Sequence, residues 1–202
     1  EITYGDWSSD VCSSDLADLG YATITLDQRN LGAIDVNADL ALFIDGREPV
    51  EHMMVYDALS AAEVLRSVPE IDPERIIYAG ESNGARTAII ACALDERSKG
   101  VLALSTCGYG TDAVVAQLGI EDEDIIRFYR SIDPDTYLPL IAPRPLAMIH
   151  SRNDTVILYP LAVKTYALAS QPKSLISVDC TVHGYCQEMD EGIEKGLKGM
   201  VS

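Results

Sequence analysis

Positive charge is what this chain has least of: 15 Lys and Arg stand against 32 Asp and Glu, for a formal net charge of -17. A surface of that sign repels polyanions, which argues against nucleic acid and anionic membrane as partners. Long apolar runs are missing too. No stretch is long enough to span a bilayer, and no positively charged start leads into an apolar segment, so the sequence predicts a soluble, cytoplasmic protein. Cysteines never fall in a CxxC pair. Cys92, Cys107, Cys180 and Cys186 therefore read as reduced core or near-core thiols, with no zinc or redox site. Histidine is scarce, at three residues in 202, which leaves few choices for a general base. What is plentiful is apolar sequence: 48% hydrophobic content in this length suffices for one domain with a substantial core.

From Ala17 onward, strand-like and helix-like stretches alternate, which predicts an α/β domain with a mostly parallel sheet covered by helices. Strands are expected over 21–26, 75–79, 101–105, 145–150 and 174–179. Helices are expected over 49–67, 83–94, 159–170 and 187–200, with a short helical turn over 38–43. Gly192, Gly196 and Gly199 form a stripe on the last helix, where close backbone packing is expected, since each Gly costs about 1 kcal/mol against Ala. The stretch over 107–140 breaks the alternation. Apart from a helix over 122–130 it reads as loop, a cap-like insertion overhanging the C-terminal strand ends where ligands bind in open α/β sheets. Right-handed crossovers bring the turns at Asp27, Ser82, Asp154 and His183 to that same edge.

Gly80-Glu81-Ser82-Asn83-Gly84 follows a strand and opens a helix, a turn that holds a serine at the tip of a strained bend. The serine hydroxyl becomes a useful nucleophile only beside a base, and the base needs an acid to hold its tautomer. His183, in the loop after the last strand, is the expected base. His150 closes an apolar strand and reads as a packed residue, and His52, near a helix start, as a solvated surface group. Asp154 is the expected acid because it follows a strand one crossover before His183, and Ser, Asp, His is the chain order associated with such a turn. Asp179 is its rival but reads as a strand terminator, and Asp112, Asp133 and Asp135 in the insertion read as solvated carboxylates.

With the Gly80 to Gly84 turn, Asp27-x-Arg29-x-x-Gly32, Ala142-Pro143-Arg144-Pro145, His150-Ser151-x-x-Asp154 and His183-Gly184-Tyr185 together resemble the α/β-hydrolase superfamily. Asp72-Pro73-Glu74-Arg75 ahead of the turn and the Ala142 to Pro145 segment resemble its acetyl-esterase, dienelactone-hydrolase and prolyl-oligopeptidase-like branches. The resemblance implies a serine hydrolase of carboxylic esters, with a Ser82 acyl-enzyme, His183 as general base and acid, Asp154 orienting it, and the Asn83 backbone NH as one oxyanion donor. A serine peptidase of the prolyl-oligopeptidase kind, or a non-catalytic fragment or binding module, is the alternative. The partner implied is a small ester or short peptide, with neither metal nor organic cofactor. Asp6 to Leu16 resembles the translated frame of a short-read sequencing adapter. That sets 1–16 apart as non-native, makes 17–202 a truncated hydrolase domain, and implies that the third strand and the second oxyanion donor are missing.

Overall fold

Runs of aliphatic and β-branched residues build six strands, and a computed structural model describes them within residues 2–4, 16–17, 19–27, 29 and 34–201. The strands are β1 (Ile2–Tyr4), β2 (Ile24–Leu26), β3 (Tyr78–Glu81), β4 (Val101–Leu104), β5 (Leu146–Ser151) and β6 (Lys173–Val178). They lie in the order β2-β1-β3-β4-β5-β6, and every neighbouring pair is parallel. Successive side chains of a strand face opposite sides of the sheet, and the core divides accordingly. Val101, Ala103, Leu146 and Met148 pack under α2 (Val50–Ser67), α3 (Ser82–Leu94) and α7 (Tyr159–Leu168). Their alternates, Leu102, Leu104, Ala147 and Ile149, meet Ile193, Leu197 and Met200 of α8 (Asp190–Val201). Both faces are covered, which is why these strands read as continuous apolar runs.

Two departures from the sequence reading concern the left of the sheet and the insertion. The slot expected to be missing, between β2 and the strand carrying the serine, is filled by β1, with Ile2 opposite Ile24 on one side and Tyr78 on the other. A parallel ladder is made by main-chain groups, so a short tripeptide suffices to complete it. Leu16 is buried in the second core cluster, while 5–15, the bulk of the adapter-like stretch, lies outside the described residues. The insertion is largely helical, with α4 (Thr111–Leu118), α5 (Glu123–Ile132), the short α6 (Pro134–Tyr137) and a 3-10 turn at Leu138–Leu140. Asp133, expected to be solvated, is 1% exposed and accepts hydrogen bonds from the Tyr109, Thr111 and Asp135 amides, organising the start of α4 and of α6.

Two long-range polar clamps orient the helices near the strand ends. Asp39, on α1 (Val36–Ile44), is buried and accepts from the Val50 and Glu51 amides, so it caps α2, whose own N-cap residue, Pro49, supplies no side-chain bond. Such capping satisfies orphan first-turn donors and is favoured by the helix dipole. Arg29, after β2, grips Asp57 of α2 through two hydrogen bonds of 2.6 and 2.7 Å. On α8 the expected close packing holds at two of three glycines. A Cβ at Gly192 would come within 2.9 Å of Ile149 Cδ1 and one at Gly196 within 3.1 Å of Ala147 Cβ, while Gly199 faces open space. Among the described residues, no helix is long and apolar enough to cross a membrane.

Candidate active site

Strand β3 runs directly into α3, and the turn between them is as tight as its glycines suggest. A Cβ at Gly80 would lie 2.5 Å from the Gly84 backbone, so only hydrogen fits there. Ser82 takes a left-handed conformation with φ of 51°, costly for a residue with a side chain and a mark of stored strain. That conformation lifts its hydroxyl off the strand end. Glu81, the N-cap residue of α3, supplies no side-chain cap, so the first-turn amides, Asn83 among them, keep the positive end of the helix dipole turned toward the serine.

Two further loops, after β5 and β6, then converge on Ser82. Its hydroxyl donates to His183 Nε2 at 2.8 Å, and His183 Nδ1 donates to Asp154 Oδ2, also at 2.8 Å. Asp154 is 3% exposed, and its other oxygen accepts from the Val156 and Ile157 amides at 2.8 and 3.0 Å. Burial by itself would raise this carboxyl; the bonds from His183, Ile157 and Val156 outweigh it and hold the group below the usual carboxylate range. The arrangement can move a proton from a serine hydroxyl to an imidazole while a fixed negative charge faces the ring that becomes positive.

The surrounding shell was only partly legible in the sequence. His150 is packed, as expected, at 1% exposure. It also donates from Nε2 to the Ile157 carbonyl at 2.8 Å and lies 3.5 Å from Asp154 Oδ2, so it braces the turn that holds the acid. Burial lowers its pKa, and because its Nδ1 has no partner among the described residues, a second proton there would be poorly solvated. His52 is not the surface group expected; its Nε2 is 2.7 Å from Ser131 Oγ and its side chain is 20% exposed. Asp179 stays at the surface, paired with Arg152 at 3.1 Å, away from the relay.

The loop bearing His183 is held at several points. Glu81 accepts from the Tyr185 amide at 2.9 Å, and Ser105 donates to the Gly184 carbonyl at 2.9 Å. Thr106 donates to the Ser82 carbonyl at 2.8 Å, so the end of β4 ties the serine turn to the histidine loop. Cys180 and Cys186 are joined in a disulfide that brackets His183, contrary to the expectation of reduced thiols. CxxC spacing does not reveal this pair, because a turning loop brings together cysteines six positions apart. Cys92 and Cys107 are free and buried, as expected. Cys180, Cys186 and Glu188 form a group of potential metal ligands among the described residues, but the disulfide occupies both sulfurs and leaves one carboxylate, a poor donor set.

Gly184 is the tightest joint in this loop. Its φ is +98°, and a Cβ there would lie 2.4 Å from Glu81 Oε1. Gly184→Ala is expected to cost about 1–3 kcal/mol of stability, from a backbone conformation that L-residues avoid. On a catalytic reading of the relay it is also expected to lower turnover by tenfold or more, because an ångström of misplacement at His183 can cost about 10²-fold. Thermal melting and ester-hydrolysis rates check the two parts separately.

Comparison with known proteins adds a family. The acetyl xylan esterase (AXE1) family model matches residues 43–153, more than half of the chain. The uncharacterized protein YfhR of Escherichia coli (strain K12) is 27% identical over 132 residues, covering 64% of this chain and 45% of that protein. The putative hydrolase YtaP of Bacillus subtilis (strain 168) is 28% identical over 152 residues, covering 69% of this chain and 50% of its own. The chain thus spans about half the length of the curated relatives it matches. Among solved structures, acetyl xylan esterase 1 from Thermoanaerobacterium sp. JW/SL YS485 is similar with a TM-score of 0.76 and 14% identity, over 100% of this chain and 74% of that one. The acetyl xylan esterase from Paenibacillus sp. R4 gives 0.76 and 17%, over 98% and 73%. Est1E from Butyrivibrio proteoclasticus gives 0.68 and 14%, over 98% and 84%. At such identities the likeness to these structures is one of fold.

Proposed function

The chain belongs to the acetyl xylan esterase family, and on that premise we propose that it hydrolyses carboxylic esters through a covalent acyl-serine. The single observation that carries this reading is the relay of two 2.8 Å hydrogen bonds from Ser82 through His183 to Asp154. Ser82 Oγ attacks the ester carbonyl carbon as its proton passes to His183 Nε2. The carbonyl oxygen becomes an oxyanion, which the Asn83 N–H at the positive end of α3 stabilises. Collapse of the tetrahedral species breaks the C–O bond, and the leaving alcohol takes the proton from His183. Water then gives a proton to the same nitrogen and attacks the acyl carbon; collapse breaks the C–Oγ bond, and Ser82 Oγ takes the proton back from His183 as the carboxylic acid leaves. Asp154 keeps Nδ1 protonated throughout and balances the transient imidazolium.

The family points to short acyl groups on carbohydrate hydroxyls as substrates, in preference to the peptides of the alternative reading. The test uses p-nitrophenyl acetate together with a fluorophosphonate probe on the folded protein. Acetate release and labelling of Ser82 alone are expected. A folded protein that neither turns over the ester nor takes the label at Ser82 would favour a binding role for the same fold.

A further inference from the structure

Behind the serine turn, between α2 and α3, is a small cavity of about 20 Å³ lined by Glu51, His52, Asn83, Arg86, Thr87, Tyr109 and Ser131 among others. Two of the lining residues each carry a buried polar atom that, among the described residues, has no hydrogen-bond partner: Glu51 Oε2 and Asn83 Nδ2. An unmet buried donor or acceptor is destabilising, so two of them on residues of one cavity imply a common partner. The volume admits one water molecule and nothing larger, and water needs two or more polar neighbours, which this lining offers.

Resting on the hydrolase reading above, we propose that Glu51 is a positioning residue for the oxyanion-binding amide of Asn83, acting across this cavity through one bridging water. In the neutral form the water accepts from Asn83 Nδ2 and from the protonated Glu51 Oε2, while Glu51 Oε1 accepts from Tyr109 OH at 3.2 Å. Holding the Asn83 side chain inward fixes the first turn of α3, and with it the direction in which the Asn83 N–H points. Tyr109 from the segment after β4, Asp39 from α1 and Arg86 from α3 face Glu51, and His52 of α2 lines the same cavity. Burial above all pushes the Glu51 carboxyl up, to about 7, against the bond from Tyr109; Asp39 adds to the rise and Arg86 opposes it. Below that pH the carboxyl is neutral. Above it, a buried negative charge stands behind the amide that must stabilise a developing negative charge, so turnover should fall.

Glu51→Gln keeps the shape and the hydrogen bonds but removes the titration. At pH 6, turnover of p-nitrophenyl acetate by Glu51→Gln should stay within about twofold of the parent. Above pH 7 the parent should decline and the variant should not. Glu51→Leu, which breaks the bridge, should lower kcat by about tenfold or more with KM little changed. A crystal structure should show one ordered water within hydrogen-bond reach of both Glu51 Oε2 and Asn83 Nδ2. Identical pH profiles for parent and Glu51→Gln, or a dry cavity, would overturn the proposal. If Glu51→Leu does not fold, the Glu51→Gln profile and the cavity water decide the matter. A folded parent that fails to hydrolyse the ester or label at Ser82 would refute the hydrolase reading instead, which keeps the two failures distinct.

Discussion

Ser82→Ala should reduce ester turnover by about 10⁶-fold, since removing the nucleophile from a unit of this kind costs about as much as removing the whole unit. The magnitude follows from the relay. Without Oγ there is no acyl-enzyme, and His183 is left facing a methyl group where it had accepted a proton at 2.8 Å. Any remaining rate would come from the Asn83 amide and from binding, which typically leave about 10³- to 10⁴-fold over water. The measurement is initial-rate hydrolysis of p-nitrophenyl acetate by purified Ser82→Ala with the parent beside it, after thermal melting shows both folded. An unchanged rate would remove the serine from the mechanism.

Asp154→Asn should lower kcat by about 10⁴-fold while leaving the fold intact. An asparagine can keep its oxygen on the Val156 and Ile157 amides, which now bind Asp154 Oδ1. Its amide then points at His183 Nδ1 and donates where the carboxylate had accepted. The ring answers by carrying its proton on Nε2, where it cannot take one from Ser82. Asp179→Asn is the control and should stay within about twofold of the parent, because Asp179 engages Arg152 at the surface. A greater loss at Asp179 than at Asp154 would reassign the acid. Stability follows the same carboxyl: its folded pKa lies below the ordinary value of 3.8. Its contribution is therefore present above that value and is lost as pH falls through the lower folded one. Asp154→Asn should show a weaker acid-dependence of melting in that window.

The three residues of the relay were readable because each sits where a strand ends, and strand ends are punctuated by local chemistry that a single sequence displays. Asp154 could be preferred over Asp179 from its place one crossover earlier, and the two now differ in burial and partner. The surrounding shell was not readable for a physical reason: its members act across large separations in sequence. Asp39 caps a helix that begins 11 residues later, and Ser105 holds a carbonyl 79 residues away. Glu51 looks like any acidic residue in a first helical turn until Tyr109 closes over it. The helix Thr111–Leu118 is hidden in the sequence because glycines in the left-handed conformation, Gly110 and Gly119, flank it, and glycine on either side reads as loop. The setting of His52 is not legible locally because its partner, Ser131, belongs to the insertion.

Ser82 and Ser105 end adjacent strands, and both hold left-handed backbone conformations, at φ of 51° and 48°. Each such residue opposes folding by about 1–3 kcal/mol, a sizeable fraction of the 5–15 kcal/mol by which domains are typically stable. The place that would perform the chemistry is therefore also a place where the chain is least content to be folded. Glycine at position 82 would release that tension and abolish the nucleophile in one substitution. Laboratory selection for heat resistance alone would thus drift toward inert variants at this turn, and activity must be screened alongside survival to keep the serine.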